Sequence, residues 1–414
     1  MGVAKTNRTM VFLVSCSFVL SSCSWGGDEN LPYPDSFSDV EWEWESPDPE
    51  GGRIIPVAGG VAVVRDHTVA VLSGESGRET WTYDDEENEA EEVRLSGNGD
   101  YLVWEVVLEE LGVREYGDEK AEHWLADPVT GEIVHKLPAS GYVGQRLFTD
   151  DLYVQEEQVR EGEPTRFAAY QLADGEGGDP VWTSDAHLRC EAKPEFEVRN
   201  HDAVLVGDVV LIPYTCVEDE IGWRGEGPQT VVAGLLGLDM ENGEELWRAE
   251  STMEEASLHD SYDRELERVN DDYLNVYGPH RETVRLLEAR TGEPVPDRGG
   301  AFAGPGSASW LVDDVGDDEY VRLGEGLREE AGVDFSRESG MSEVVPLESG
   351  LAVVADTGTD PTAVFQAWDE ESERVYVELG IAGHEVLDVE SVPGAVVVLH
   401  KDPETGHLGL VGLA

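Results

Sequence analysis

A short turn motif recurs along this chain and constrains its fold more than any other feature. It consists of an acidic or hydroxyl residue, two variable residues, a Thr, Asn or Ser, and a Gly. It spans Ser73 to Gly77, Asp127 to Gly131, Asp239 to Gly243, Glu288 to Gly292 and Asp402 to Gly406, with weaker copies at Asp174 to Gly178 and Asp369 to Glu373. An Asp at the first position accepts hydrogen bonds from the backbone N–H groups that follow it. Thr or Asn suits the next turn position, and Gly supplies the positive φ that closes a type I turn with a bulge. This is the chemistry of a tight connection between antiparallel strands.

The flanks agree with that reading. Alternating or β-branched segments precede the turns at Thr68 to Leu72, Arg166 to Leu172, Val231 to Leu238, Val284 to Leu287 and Ala363 to Trp368. Trp81, Trp182 and Trp247 each lie four residues after the closing position. A sustained 3.6-residue period is almost absent, and Glu254 to Arg268 is the best helical candidate. Short strands in units of roughly 40 to 55 residues predict an all-β chain, a β-propeller of four-stranded antiparallel blades. In it the turn joins the third strand to the outer fourth, and the Trp wedges against the neighbouring blade, where a large flat ring buries much apolar area.

The pattern A/L-x-D-x-x-T/N-G-x-x-x-W, clearest from Gly237 through Asp239 and Gly243 to Trp247, resembles the pyrroloquinoline-quinone-like (PQQ-like) propeller repeat. That family includes quinoprotein dehydrogenases and the propeller lipoprotein of the outer-membrane β-barrel assembly machine. The resemblance covers Val40 to Ala414, with three or four sharp copies. Eight blades of about 47 residues fit this length; seven is the alternative, if the Gly292 to Glu373 segment forms no blade of its own. Val40-Glu41-Trp42-Glu43-Trp44 reads as an outer strand carrying docking tryptophans, Trp42 and Trp44. The C-terminal strands are too few for a complete blade, so the N-terminal strand is expected to complete the last one and close the ring.

The first residues carry an address. Lys5 and Arg8 precede the apolar run Met10 to Leu20, which is too short to span a bilayer. Leu20-Ser21-Ser22-Cys23 follows and resembles the lipobox of bacterial lipoproteins. The expected organisation is a signal peptide over 1–22, a tether rich in Gly, Pro and acid over 23–39, and the propeller over 40–414. Cys23 would carry a diacylglyceryl group and an N-acyl chain such as palmitate, and two lipid signals suffice for stable anchoring. Cys16 leaves with the signal. Cys190 and Cys216 then remain as a pair in an oxidising compartment and are expected to form a disulfide.

Composition narrows the partners. There are 89 Asp and Glu against 28 Lys and Arg, a formal net charge of −61. Such a surface excludes nucleic acid, and the folded part is repelled by anionic headgroups. It does not imply disorder, because 40% of residues are hydrophobic and 11 are Trp.

Catalytic signatures are missing. No adjacent Cys-Cys pair is present for a quinone-bound dehydrogenase, and the histidines form no HExxH or clustered Cys/His pattern. Acidic runs such as Asp84 to Glu87 and Asp313 to Glu319 could hold Ca²⁺, but read first as solvated loops. No cofactor is expected. The chain reads as a monomeric lipid-anchored ring on the extracytoplasmic face of the cell membrane, a protein-binding or scaffold module of the cell envelope rather than an enzyme. The alternative is a quinoprotein-like or carbohydrate-acting propeller enzyme. Glu109 to Glu122, Glu218 to Pro228 and Glu250 to Asp263 are the expected partner-facing loops, with Trp223 and Arg224 as an aromatic–guanidinium pair suited to an interface.

Overall fold

Each sharp copy of the turn motif puts its glycine where L side chains are strained: φ is 62° at Gly77, 71° at Gly131, 73° at Gly243, 68° at Gly292 and 79° at Gly406. The side chain at the first position organises the turn. Asp127 Oδ1 accepts from the N–H of Val129 at 2.7 Å and of Thr130 at 3.0 Å, while Gly131 N–H returns to Asp127 O at 2.9 Å. In each of the five copies the closing glycine N–H returns in this way to the carbonyl of the first residue.

The computed structural model describes residues 31–46, 52–65, 68–84, 90–109, 120–139, 146–157, 166–175, 178–193, 197–200, 203–217, 229–256, 266–277, 284–296, 301–303, 311–316, 319–324, 327–335, 341–355, 361–368 and 372–414. Among them the only helical element is one 3-10 turn, Leu172–Asp174. The rest is antiparallel sheet, and the fold is an all-β propeller.

Eight sheets follow one another, numbered here by their spans: sheet 1 (52–84), sheet 2 (90–139), sheet 3 (147–187), sheet 4 (197–256), sheet 5 (266–288), sheet 6 (301–334), sheet 7 (341–378) and sheet 8 (385–413). Six are plain four-stranded antiparallel arrays. Sheet 4 has a split first strand, Glu197–Asn200 and Val204–Val206, both paired to Val209–Val217. Sheet 5 keeps three strands plus an isolated bridge from Leu287 to Pro294. Sheet 8 takes its fourth strand from the other end of the chain, where Val40–Glu45 pairs antiparallel with Leu408–Leu413.

Burial explains the hydropathy of each strand. Second strands such as Gly60–Arg65 and Gly350–Ala355 are buried along their whole length and read as apolar runs, the first broken only by its final residue, buried Arg65. Outer strands such as Glu79–Asp84 face water on one side and alternate. The apolar side chains gather in clusters between successive sheets. One joins Trp104 and Trp124 of sheet 2 to Val69 and Val71 of sheet 1. Another joins Ile54, Val61 and Leu72 of sheet 1 to Val397, Leu399 and Leu410 of sheet 8.

Four sequence expectations change. The closing glycine of the weak copy, Gly178, does not take a positive φ; the positive φ falls on Gly175, at 64°, after the 3-10 turn Leu172–Asp174, and 176–177 lie outside the described residues. Asp402 to Gly406 joins the second and third strands of its sheet rather than the third and fourth, because the fourth is Val40–Glu45. The helical candidate ends in strands on both sides, Glu245–Ala256 and Leu266–Arg268, with 257–265 outside the described residues. Residues 31–39, expected to belong to the tether, lie against the C-terminal sheets. Phe37 is buried among residues of sheets 7 and 8 and meets the Phe365 ring at 5.9 Å, and Gly394 N–H donates to Pro32 O at 2.8 Å. One buried aromatic ring is enough to dock a segment whose composition otherwise reads as linker.

Candidate functional site

The tryptophans after the turns reach the next sheet along the chain. Trp81 Nε1–H donates to Pro128 O at 2.9 Å, Trp182 to Met240 O at 2.8 Å and Trp247 to Ala289 O at 2.8 Å. Trp42, on the N-terminal strand, donates to Gly74 O at 2.7 Å. Each acceptor belongs to a copy of the turn motif. Trp44 points to the same side and is half-buried at the edge of the cluster that contains Trp42. Cys190, which follows the last strand of sheet 3, is disulfide-bonded to Cys216 of sheet 4 with Cα atoms 6.2 Å apart. Both lie in the apolar cluster shared by those sheets. Cys23, Trp223 and Arg224 are outside the described residues, as are 110–119, 218–228 and 257–265, most of the expected partner-facing loops.

A concave feature of the fold lies elsewhere. A cavity of about 660 Å³ opens where the first strands of sheets 1 to 5 converge, and its wall carries Arg53, Arg94, Arg146 and Arg268. These residues come from four different sheets. Arg94, Arg146 and Arg268 each stand two to four residues before the turn that joins the first strand of a sheet to its second. That turn sends the second strand into the core and leaves the arginine on the inner wall. In sheet 2 it is fastened by Tyr101 N–H donating to Ser96 Oγ at 3.0 Å.

The guanidiniums tie neighbouring backbones together. Arg53 donates to Val93 O, and Arg94 donates to Arg146 O at 3.0 Å. Arg146, almost fully buried, donates to Pro138 O at 2.6 Å and Gln155 Oε1 at 3.1 Å and lies over the Tyr153 ring. Arg268 reaches from sheet 5 to Gly97 O of sheet 2 at 2.6 Å, and its other nitrogen pairs with Asp271 at 2.5 Å. Arg94 and Arg146 also act on buried His123. Burial first, then the charges of Arg146 and Arg94, push its imidazole down to about 3, although Glu105 is 3.6 Å from Nε2. The imidazole is neutral at any ordinary pH.

Sequence reasoning passed over these four arginines because it searched for catalytic and metal patterns. The signal was present. Arg94-Leu95, Arg146-Leu147 and Arg268-Val269 each precede a turn rich in Asn, Asp or Gly, in a chain where basic residues are few. Among the described residues, no group of three or more His, Cys, Asp or Glu is placed to hold a metal ion. Likewise, no described helix is long and apolar enough to cross a membrane.

No family model matches the chain, and no curated protein matches it by sequence. Solved structures do resemble it in fold. BamB from Moraxella catarrhalis is 12% identical, with 90% of this chain and 99% of that one covered, at a TM-score of 0.42. A eukaryotic initiation factor is 13% identical over 88% of this chain and 83% of its own, at a TM-score of 0.46. The computationally designed Ika8 protein is 13% identical over 82% and 99%, at a TM-score of 0.35. At such identities the likeness concerns the fold alone, and no function passes from these proteins to this chain.

Proposed function

We propose that this chain is a lipoprotein, anchored through Cys23 on the extracytoplasmic face of the cell membrane, whose propeller is a protein-binding or scaffold module of the cell envelope and not an enzyme. The observation that carries the reading is the tetrad Leu20-Ser21-Ser22-Cys23 at the end of a short apolar run, followed by a single acidic domain. The proposal includes an eight-bladed closed ring. Its support is the order of the apolar clusters, which link successive sheets and include one shared by sheets 8 and 1, together with the pairing of Val40–Glu45 to Leu408–Leu413. A ring without loose ends holds its loops in fixed positions, which suits a binding platform.

Two experiments test this. Feeding the producing cells an alkynyl palmitate should label the wild type and not Cys23→Ser, and the variant should leave the membrane fraction. Equal labelling of both would defeat the anchor. Crosslinking in intact cells followed by affinity purification should recover a defined envelope protein with the wild type. Recovery of the chain alone would defeat the scaffold reading.

A further inference from the structure

We infer, resting on the Cys23 anchor proposed above, that residues 31–39 are a strap that orients the propeller on the membrane: the end carrying its tight turns faces the lipid surface, and the opposite end faces away.

Antiparallel order puts two turns at the same end of a sheet, the one between the first and second strands and the one after the third. The connection between the second and third strands lies at the opposite end. Hydrogen bonds join the two turns within sheets: Met240 N–H donates to Asp208 O at 2.8 Å in sheet 4, and Trp368 N–H to Ser349 O at 3.0 Å in sheet 7. Neighbouring sheets meet at these same ends. Tyr101 Oη–H of sheet 2 donates to Asp150 O of sheet 3 at 3.2 Å, and a Cβ built on Gly394 of sheet 8 would meet Glu75 N of sheet 1 at 2.8 Å.

The strap lies across that end. Gly394 N–H, in the first turn of sheet 8, donates to Pro32 O at 2.8 Å, and Ser349 Oγ–H, in the first turn of sheet 7, donates to Asp35 O at 2.5 Å. Phe37 then sinks between the two sheets, and Ser38 N–H donates to Ala414 O at 3.0 Å. The path runs from the inner strands outward. Tyr33 is half-buried, and burial and then the Glu390 carboxylate raise its hydroxyl above the ordinary value. Glu390 belongs to the first strand of sheet 8, which touches the first strands of sheets 7 and 1. The chain from Cys23 therefore arrives near the middle of the tight-turn end and not at its rim.

Leu31 follows Cys23 by eight residues, a reach of at most about 28 Å. A folded body of about 375 residues is roughly 55 Å across. A tether of that reach, leaving from the middle of one end, is too short to carry its lipid round the rim to the other. Exposed acids of this end, among them Glu75, Asp150, Asp151 and Glu241, repel anionic headgroups and hold the face off the surface within the tether's reach.

Glu241 and Glu404 occupy the same position in two copies of the turn motif. The first lies at the tight-turn end and the second, between the second and third strands of sheet 8, at the opposite end. The test places a donor dye on Glu241→Cys or on Glu404→Cys in the full protein purified from its membranes. Each is inserted into zwitterionic phosphatidylcholine vesicles with an acceptor dye on the outer headgroups, and energy transfer is measured after flotation. We expect both to float and Glu241→Cys to transfer at least about twice as much energy, since the two ends lie about 20 Å apart, the rise of a short strand. Phe37→Ala frees the strap and should narrow that difference, with a cooperative melt showing that the variant is folded. Failure to float would defeat the anchor and the orientation with it. Flotation with equal or reversed transfer would leave the anchor standing and overturn the orientation. A difference undiminished in folded Phe37→Ala would overturn the strap as its cause.

Discussion

The ring of Trp81 lies directly over Gly131 of the next sheet: a Cβ built on Gly131 would meet Trp81 Cδ2 at 2.6 Å. The same pairing joins Trp42 to Gly77, Trp182 to Gly243 and Trp247 to Gly292, at 2.4 Å to the nearest ring atom in each case. One glycine thus serves two purposes, the left-handed turn within its own sheet and the floor on which the preceding sheet rests.

Gly131→Ala should therefore cost more than the conformational penalty. A residue at φ 71° is strained by about 1 kcal/mol or more, and displacing a packed indole adds roughly 1–3 kcal/mol. Gly380 has the same φ of 71° with nothing within 4 Å of a Cβ, so Gly380→Ala carries only the first part. Denaturant midpoints of the two variants should differ clearly, with Gly131→Ala the lower. Equal midpoints would show that the tryptophan floor contributes nothing.

Trp42 and Trp44 face the same way but should respond differently. Trp42 is buried, with its ring against both Gly77 and Gly412, and Trp44 is half-buried. Trp42→Ala is expected to destabilise by about 3–5 kcal/mol, as for other buried aromatic truncations, and Trp44→Ala by less than half of that. Chemical denaturation monitored by circular dichroism distinguishes them.

The bond between Cys190 and Cys216 closes a loop of sequence separation 26 and joins two sheets. On the loop-entropy scale it contributes about 3.5 kcal/mol. Peptide mapping without reductant should recover the two cysteines in one linked pair, and the Cys190→Ser, Cys216→Ser double variant should melt at lower temperature. Recovery of both as alkylated thiols from unreduced protein would disprove the bond.

His400 is buried, and its Nδ1 lies 2.9 Å from Nδ1 of His384. Burial and then the His384 charge hold its pKa at about 4, against 6.5 for a free imidazole, with Asp402 opposing them. The unfolded chain therefore takes up this proton first as pH falls. The stabilisation from neutral His400 is complete above pH 6.5 and is lost progressively toward pH 4, at about 1.4 kcal/mol per unit. Between pH 7 and 5 the wild type should lose more stability than His400→Gln, since carboxylate titration affects both alike. Parallel pH profiles would remove His400 from the account.

A net charge of −61 on one chain repels itself. Screening shortens that repulsion to a few Å in molar salt. The melting temperature should rise between 0.05 and 1 M potassium chloride, and a flat response would mean that the acids are spaced widely enough to ignore one another.

The sequence by itself determined the fold class. Asp or Glu at the first position, Thr or Asn before Gly, and strands of apolar or alternating character are local properties, and turn and strand chemistry is local. Much of the sheet pattern follows from them, including the degenerate region between Gly292 and Glu373, which holds sheet 6 and most of sheet 7. Only the tertiary structure decided which glycine each Trp rests on, that Phe37 docks the chain before the first strand, and that Asp402 to Gly406 sits one strand further in. It also decided the place of the arginines. Arg53 and Arg268 are 215 residues apart in number, and no local rule brings them to one cavity. That convergence is a consequence of arranging first strands from successive sheets around one space, a long-range relation that turn chemistry makes possible but does not encode.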